Sequence, residues 1–183
     1  MTIDPPPIPV PGAAVRAEAR LTSVSRVLTF GVAALDAADV ASVAHVASIT
    51  LPPRAWPPDA PSVALACDPA RLPFVEAMFD VALVALDLAQ PQAFLRELWR
   101  VLAPAGVLII AVPGWLAAIR DPRSALSSRH HSRASLARLL DAAMFEVAAE
   151  RRTGGWHVVR AVKRDGLAPV GRVAAAIGDP VAG

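Results

Sequence analysis

Several residue types are scarce in this chain of 183 residues, and each scarcity excludes a class of protein. Cys67 is the single cysteine, which excludes an internal disulfide framework and a zinc site built from cysteines alone. The formal net charge is only +2, and Lys163 is the only lysine. So small a surplus of positive charge, carried almost wholly by arginine, predicts no nucleic-acid partner.

Long hydrophobic runs are also missing. The most apolar stretch, residues 107–119, is interrupted by Pro113-Gly114 and is shorter than the roughly 20 residues that cross a bilayer. The N-terminal residues lack the basic start and the unbroken apolar centre of a signal peptide. We therefore expect no membrane partner and, with one cysteine, a cytoplasmic protein.

The composition is sufficient for one packed domain. Hydrophobic residues make up 55% of the chain and charged residues 19%, which is typical of a folded domain. We expect a mobile, Pro-rich segment over residues 1–20, a domain over residues 21–164 and a tail over residues 165–183. The mean hydropathy of +0.46 is high for an isolated monomer and favours a homodimer or a protein partner.

Strand-like and helix-like segments alternate through the domain. Phe79–Leu86 is apolar almost throughout, as in a strand buried on both faces of a parallel sheet. Apolar residues recur at helical spacing in residues 91–102, and Gly154-Gly155 separates two β-rich segments that predict an antiparallel hairpin. The predicted strands are residues 26–30, 43–50, 62–67, 79–86, 107–112, 145–150 and 156–162, and the predicted helices are residues 33–42, 91–102 and 132–143.

This order of elements predicts a Rossmann-like α/β fold. Alternation of strands and helices favours an open, mostly parallel sheet with helices on both faces, because each crossover returns over the sheet. The last two strands close the sheet as a C-terminal antiparallel hairpin.

The segment Asp68–Pro113 carries three motifs in order. Asp68-x-x-x-Leu72-Pro73-Phe74 precedes a strand that starts at Phe79-Asp80, the helix over 94–102 follows, and Ala103-Pro104-Ala105-Gly106 leads into the next strand. Together these motifs resemble the second half of the type 11 domain of class I S-adenosylmethionine-dependent methyltransferases, where the turn is usually Lys-Pro-Gly-Gly. The resemblance extends over roughly residues 24–163 and implies S-adenosylmethionine as the cofactor.

The resemblance also implies which residues contact the cofactor. Asp68, followed by Pro69, stands where the family residue bonds the adenine amino group, and Gly31 stands at the turn after the first strand. Ser48 lies near the end of the second strand, where the family has an acid for the ribose hydroxyls. An aspartate before a proline is also typical of an Asx-turn or a cap, so the residues alone leave both roles of Asp68 open.

The first half of the chain departs from the family pattern, which has an acid at the end of the first strand and then Gly-x-Gly-x-Gly. Thr29 replaces the acid, Ala33 and Leu35 replace the second and third glycines, and only Gly31 remains. A carboxylate bonds a ligand more strongly than a hydroxyl does, and a Cβ obstructs the close approach that glycine allows. The sequence therefore predicts a degenerate motif and weakened cofactor binding.

Three residues are weak candidates for catalysis. Asp87 follows the strand predicted over 79–86, and His130 and His131 precede the helix predicted over 132–143. Each would lie near the sheet edge where open α/β folds bind ligands and could accept a proton, although surface positions are the simpler interpretation. Adjacent histidines lack the spacing of metal ligands, so no metal is expected. The arginine-rich stretches, Arg120 to Arg138 and Arg151 to Arg164, are interpreted as solvated faces.

Two functions from different classes follow from these observations. The first is methyl transfer from S-adenosylmethionine to an unidentified small molecule, a reaction in which the protein mainly holds donor and acceptor together. The alternative is a catalytically inactive pseudo-methyltransferase that retains the sheet and acts as a binding or scaffolding partner. A third and weaker hypothesis is a module that binds another nucleotide at the same edge.

Overall fold

The computed structural model describes residues 12–30, 45–49, 62–65, 67–84, 91–113, 133–153 and 155–165. These residues contain three helices and seven strands. In chain order they are α1 (Gly12–Ala19), β1 (Arg26–Phe30), β2 (His45–Ile49), β3 (Ser62–Leu65), β4 (Phe79–Val84), α2 (Pro91–Val101), β5 (Leu102–Pro113), α3 (Arg133–Ala142), β6 (Phe145–Thr153) and β7 (Trp156–Lys163).

The seven strands form one sheet in the order β3-β2-β1-β4-β5-β7-β6. The pairings from β3 through β5 are all parallel, whereas β7 runs antiparallel to both β5 and β6. The predicted Rossmann-like sheet with its C-terminal hairpin is therefore confirmed. The strand order reverses between β1 and β4, and open α/β sheets bind ligands outside the carboxyl ends of the strands at such a switch point.

Helices cover both faces of the sheet, as predicted. α1 lies on one face, where Val15 and Ala19 belong to a buried cluster with Val27, Leu83 and Val158. α2 and α3 cover the other face, where the apolar stripes of both helices are removed from water. The cluster on this second face includes Leu28, Phe79, Phe94, Leu95, Leu98, Leu136, Leu140 and Phe145.

The sequence does not predict α1, because its eight residues follow a Pro-rich start and show little helical periodicity of apolar residues. Val15 is nevertheless 2% exposed and Ala19 4% exposed. Residues 12–19, part of the segment expected to be mobile, thus form a helix that packs on the sheet. Residues 1–11 and 166–183, the rest of that segment and nearly all of the predicted tail, lie outside the described residues.

The junction between α2 and β5 contains a strained turn. Phe79 pairs with Leu102 and Val81 pairs with Val107, so the four residues between Leu102 and Val107 are inserted between these pairs. Ala105, one of these four, has a φ of 56°, in the left-handed region. A Cβ on the next residue, Gly106, would lie 2.7 Å from a carbonyl oxygen of the same turn. The turn therefore requires glycine at position 106 and would accept it at position 105.

Replacing Ala105 with glycine is expected to raise the free energy of unfolding by about 1 kcal/mol, because a left-handed conformation costs an L-residue about 1–2 kcal/mol. The larger backbone entropy that glycine loses on folding offsets part of this gain. Chemical denaturation of Ala105→Gly measures the change, and Gly106→Ala is the matched control that should destabilise the chain. A less stable Ala105→Gly would show that the φ of Ala105 carries no net strain.

The single lysine is buried at the same junction. Lys163 is 9% exposed, and its Nζ donates a hydrogen bond of 2.7 Å to the Leu102 carbonyl. The ammonium also lies 4.1 Å from the centroid of the Trp99 ring and 3.9 Å from an oxygen of Asp165. The interpretation of residues 151–164 as a solvated face is therefore wrong for Lys163, because β7 is an inner strand between β5 and β6.

Candidate active site

The carboxyl edge of the parallel strands is the place where this fold can hold a ligand. β1 ends at Phe30, β4 at Val84 and β5 at Pro113, and the switch point lies between the first two. β3 ends at Leu65, so Asp68 follows at the same edge, where the sequence places it. Because the parallel strands deliver their carboxyl ends to one side, residues distant in sequence meet there.

Asp68 lies in an Asx-turn. Its Oδ1 accepts a hydrogen bond of 2.9 Å from the Ala70 amide, and its carbonyl oxygen accepts one of 3.0 Å from the Arg71 amide. The side chain is exposed, and Pro69 is half-buried inside the turn. The turn engages Oδ1 alone among the two carboxylate oxygens, so Asp68 has a structural role and its Oδ2 takes no part in the turn.

The thiol next to this aspartate is not poised as a nucleophile. Cys67 is half-buried, and burial raises its pKa, with the charge of Asp68 adding to the effect. Since the thiolate is the reactive form, a raised pKa keeps the sulfur in its unreactive state.

A pair of charged residues on α2 holds the loop that carries Asp68. Glu97 Oε2 accepts a hydrogen bond of 2.9 Å from the Leu72 amide. The guanidinium of Arg100 donates to the carbonyls of Phe74 and Leu72, at 2.7 and 3.0 Å, and pairs with Glu97 at 2.7 Å. We call Glu97 and Arg100 the loop clamp. The spacing of a Glu and an Arg three residues apart on a helix predicts that the two side chains pair. It does not reveal that both also contact the backbone of the loop.

The clamp shifts the titration of both partners. The hydrogen bond from Arg100 holds the pKa of Glu97 below its ordinary value, the Leu72 amide lowers it further, and partial burial opposes both. The bond to Glu97 raises the pKa of Arg100. Both groups are therefore charged at neutral pH, and the loop is held by charge-assisted hydrogen bonds.

Acid is expected to loosen this loop. Because the pKa of Glu97 is lower in the folded chain than its unfolded value of 4.5, its contribution to stability is complete above that pH. The contribution is lost as the pH falls through the folded pKa. In denaturation at a series of pH values, Glu97→Gln should be less stable than the wild type at neutral pH and should lose less stability on acidification.

An equally steep acid loss in Glu97→Gln would contradict this assignment. Among the described carboxyl groups, that of Asp80 would then be the source of the acid loss, because a hydrogen bond from Arg26 also holds its pKa below the ordinary value. Asp80→Asn distinguishes the two, because it removes the titration of Asp80 and leaves the loop clamp intact.

Asp80 itself lies at the opposite, amino edge of the sheet. Its Oδ2 accepts a hydrogen bond of 2.9 Å from the Arg26 amide, and its Oδ1 accepts one of 2.8 Å from the Arg26 guanidinium. Asp80 therefore joins the starts of β1 and β4 and belongs to no site at the carboxyl edge.

Thr29 is buried near the end of β1, where the resemblance places an acid. It is 0% exposed, and its Oγ1 has no hydrogen-bond partner among the described residues. In the sheet it lies opposite Ser48 of β2 and Leu83 of β4. Among the described residues, Thr29 therefore contributes neither a charge nor a hydrogen bond at the position where the resemblance places an acid.

Most of the other predicted site residues lie outside the described part of the chain. This applies to Gly31, Asp87, His130 and His131, and to the side chain of Ser48. Their roles remain predictions. The substituted glycine positions, Ala33 and Leu35, and the predicted helix over residues 33–42 also lie outside it.

The structure assembles a basic cavity that the sequence analysis missed. Arg133, at the start of α3, comes together with Glu150, Arg151 and Arg152 of β6 and His157 of β7 around an open cavity of about 310 Å³. β7 begins beside the end of β5, so the cavity lies at the carboxyl edge. In the sequence, Arg133 belongs to one arginine-rich stretch and Arg151 and Arg152 belong to another, and the hairpin and α3 bring them together.

Neither a metal site nor a membrane span is evident in the described parts. Over the described ranges, no three His, Cys, Asp or Glu residues are grouped so that they could hold a metal ion. The helices of those ranges are all too short, or too polar, to cross a membrane.

Comparison with protein families matches residues 28–110 to the model described as "Methyltransferase domain". This range begins in β1 and ends in β5, so it contains the switch point, Asp68 and the loop clamp. A search of curated proteins found no match.

Solved structures share the fold at low sequence identity. One is from the complex between the Haloferax volcanii Trm112 methyltransferase activator and the putative methyltransferase, with 16% identity, a TM-score of 0.68 and coverage of 82% of this chain and 87% of that one. Another is the [4+2]-cyclase SpnF, with 16% identity, a TM-score of 0.64 and coverage of 83% and 79%.

A third structure was determined with its ligands. It is the Burkholderia thailandensis 1,6-didemethyltoxoflavin-N1-methyltransferase with bound 1,6-didemethyltoxoflavin and S-adenosylhomocysteine, at 21% identity, a TM-score of 0.59 and coverage of 84% of this chain and 76% of that one. Identities this low establish a shared three-dimensional fold and leave the chemistry to be argued from the site.

Proposed function

We propose that this chain, which has the fold of the class I S-adenosylmethionine-dependent methyltransferases and a methyltransferase-domain match over residues 28–110, binds S-adenosylmethionine and methylates a small molecule. The cofactor would lie over the carboxyl edge, between the end of β1 and the loop after β3. When bound there, it supplies an electrophilic methyl group.

The observation that carries the proposal is the position and exposure of the Asp68 carboxylate. Its exposed carboxylate follows the third parallel strand, and the Asx-turn engages only Oδ1. The loop clamp fixes the same loop through three hydrogen bonds to its backbone. A carboxylate held in place before the ligand arrives loses little side-chain entropy on binding, so Oδ2 is well suited to accept a hydrogen bond from the adenine amino group.

The remaining residues fit the cofactor less tightly. Gly31 would allow the ligand to approach the backbone, Pro69 would border the adenine, and Ser48 would offer a hydroxyl to the ribose. Thr29 gives a neutral, buried hydroxyl in place of an acid. Each missing charge-assisted hydrogen bond weakens binding by about 1.5–3 kcal/mol, so we expect a Kd about two to four orders of magnitude higher than that of a family member with both acids.

Catalysis would depend on placement of the acceptor. The chain positions the acceptor beside the methyl group and keeps water away, which is the main contribution a protein makes to a displacement of this kind. Asp87, His130 or His131 would take the acceptor proton, if the acceptor carries one at its reacting atom.

A second candidate function is a non-catalytic binding or scaffolding protein. The buried hydroxyl of Thr29 favours it, because the position that usually carries an acid contributes no charge. Among the structural neighbours, one is described as a [4+2]-cyclase, and another is from a complex between a methyltransferase activator and a methyltransferase. A second copy of the chain or another protein would then be the partner.

Calorimetry separates the two candidates. We expect heat on titration with S-adenosylmethionine and with S-adenosylhomocysteine at high micromolar concentration. Absence of heat with both ligands would exclude the enzyme hypothesis and leave the scaffolding function.

Asp68→Asn tests the adenine contact. Asparagine keeps an acceptor oxygen for the Ala70 amide but replaces the second oxygen by a donor, so it preserves the turn and opposes the adenine amino group. Its Kd for S-adenosylhomocysteine should rise about tenfold. Glu76→Gln, an exposed carboxylate in the same loop, is the matched control and should bind as the wild type does. An unchanged Kd in Asp68→Asn would remove Asp68 from the site.

A further inference from the structure

The basic cavity defined above holds more positive than negative charge. Three arginines, Arg133, Arg151 and Arg152, line it with a single carboxylate, Glu150. Arg151 is satisfied from outside the cavity, because its Nε lies 3.2 Å from Glu18 of α1. Arg133 is satisfied inside it, with its Nε 2.5 Å from Glu150 Oε2. Arg152 therefore carries the uncompensated charge, since no ion pair joins it to any carboxylate of the described residues.

Glu150 acts as an internal counter-ion. Besides Arg133, its Oε2 has His157 Nε2 at 3.4 Å, so one carboxylate oxygen is shared between two cationic or donating groups. The side chains of Glu150 and His157 are 20% and 12% exposed, whereas that of Arg133 is 68% exposed. The pair forms the inner part of the cavity, and the guanidinium of Arg133 can move between the carboxylate and a ligand.

The cavity is also favourably placed for an anion. Arg133 is the first residue of the ten-residue helix α3, whose free amides and partial positive charge are at this end. Arg152 and His157 lie opposite each other on β6 and β7. On β5, Val112 is paired with His157, one residue before the strand ends at the carboxyl edge. The cavity thus lies beside the part of the edge where an acceptor would meet the cofactor.

We propose that Arg152, Arg133 and His157 form a binding site for the carboxylate or phosphate group of a small acidic molecule. Arg152 donates to the anion first, and Arg133 exchanges part of its bond with Glu150 for a bond with the ligand. That this molecule is the methyl acceptor rests on the function proposed above, whereas binding of the anion does not. An opening of about 310 Å³ accommodates a group of the size of a benzoate or a phosphate.

Titration of the ¹⁵N-labelled full chain with sodium benzoate and with inorganic phosphate tests the site. The Nε–Hε signals of Arg152 and Arg133 should shift with at least one probe near neutral pH, and the probe with the lower Kd identifies the carboxylate or the phosphate as the preferred group. Sodium chloride at matched ionic strength controls for screening. Shifts that chloride reproduces in full would overturn the proposal.

Three variants test whether the residues of the basic cavity bind the probe. Arg152→Gln should raise the Kd of the preferred probe on the order of tenfold, because it removes a charge-assisted hydrogen bond. Glu150→Gln should lower that Kd severalfold, because it removes the competing carboxylate and frees Arg133. Arg96→Gln, at an exposed position on α2, should leave it unchanged. Tighter binding in Glu150→Gln cannot come from a purely structural role, and weaker binding would overturn the proposal.

The experiment separates this proposal from the proposed function. Anion binding in a chain that gives no heat with S-adenosylmethionine would leave the anion site standing and remove its role as an acceptor site. Cofactor binding without anion binding would leave methyl transfer standing and exclude an acidic acceptor held at this cavity.

Discussion

Replacing Arg100 with alanine is expected to lower the free energy of unfolding by about 3 kcal/mol, the largest effect among the substitutions considered. The guanidinium makes hydrogen bonds to two loop carbonyls, those of Phe74 and Leu72, and a forked pair with Glu97. Truncation leaves all three acceptors in a partly buried place without their donor. An acceptor that loses its partner while buried costs more than the bond itself contributes.

The loss extends from α2 to the site. The same loop carries Asp68 at its start and the buried Leu72 in its middle. Without the arginine, Glu97 retains only its bond from the Leu72 amide. Hydrogen exchange of the amides in residues 70–78 should therefore accelerate in Arg100→Ala, and the Kd for S-adenosylhomocysteine should rise because Asp68 is no longer fixed before binding.

Two variants serve as controls for this prediction. Arg96→Ala removes an exposed arginine from the same helix and should change stability by less than about 0.5 kcal/mol. Arg100→Lys keeps the charge but not the planar fork, so it should recover only a small part of the loss. Full recovery by lysine would show that charge alone holds the loop, and a loss under about 1 kcal/mol in Arg100→Ala would contradict the clamp altogether.

Replacing Lys163 with methionine is expected to lower the free energy of unfolding by about 2 kcal/mol. Methionine preserves most of the apolar stem of the side chain, so the loss reports on the ammonium. That group donates to the Leu102 carbonyl at 2.7 Å and lies over the Trp99 ring at 4.1 Å. Its removal leaves a carbonyl without its side-chain donor at the point where α2 passes into β5.

The control for Lys163 is an exposed cation elsewhere. Arg138→Met on α3 removes a charge from the surface and should be nearly neutral. A double-mutant cycle with Trp99→Leu should give a coupling of about 1 kcal/mol between the ring and the ammonium, the value typical of a partly desolvated cation–π contact. If Lys163→Met left the free energy of unfolding unchanged, the ammonium would gain as much from water in the unfolded chain as from the Leu102 carbonyl and the Trp99 ring.

Both substitutions affect the junction that the sequence motifs mark. The sequence pattern of the helix over residues 94–102 and of the turn Ala103-Pro104-Ala105-Gly106 does not reveal what their charged residues contact. The structure gives these contacts: Arg100 faces the loop after β3, and the end of β7 supplies Lys163 to the same junction. Ala105, which stands where the family usually has glycine, adopts a left-handed backbone conformation in this turn.

Local patterns were sufficient for most of the described elements and for their order along the chain. Apolar alternation and apolar runs place β1, β4 and the β6–β7 hairpin within a few residues of their observed bounds, because side-chain direction repeats every two residues along a strand. The helical stripe of Phe94, Leu95 and Leu98 is buried as its spacing requires. Alternation of these elements then restricts the topology to a doubly wound sheet, which is the sheet observed.

Local patterns do not predict a side-chain contact when the partner belongs to another element. From the sequence, Asp68 could stabilise a turn or contact a ligand. In the structure the Ala70 amide bonds one carboxylate oxygen, so Asp68 stabilises the turn through that oxygen only. No local pattern reveals that the partner of Asp80 is Arg26, 54 residues earlier in the chain. α1 has too weak a pattern to be predicted, and its burial depends on the sheet face that receives Val15 and Ala19.

The amino-acid sequence by itself thus determined the fold class and the order of most elements along the chain, because both depend on periodicities that neighbouring residues carry. The tertiary structure alone decided which charges meet. It buried Lys163 against Trp99, set Arg100 on the loop carbonyls, and gathered Arg133, Arg152 and His157 around one cavity. The physical reason is that charged side chains show no period, and their partners are chosen by the packing of elements that lie far apart in the chain.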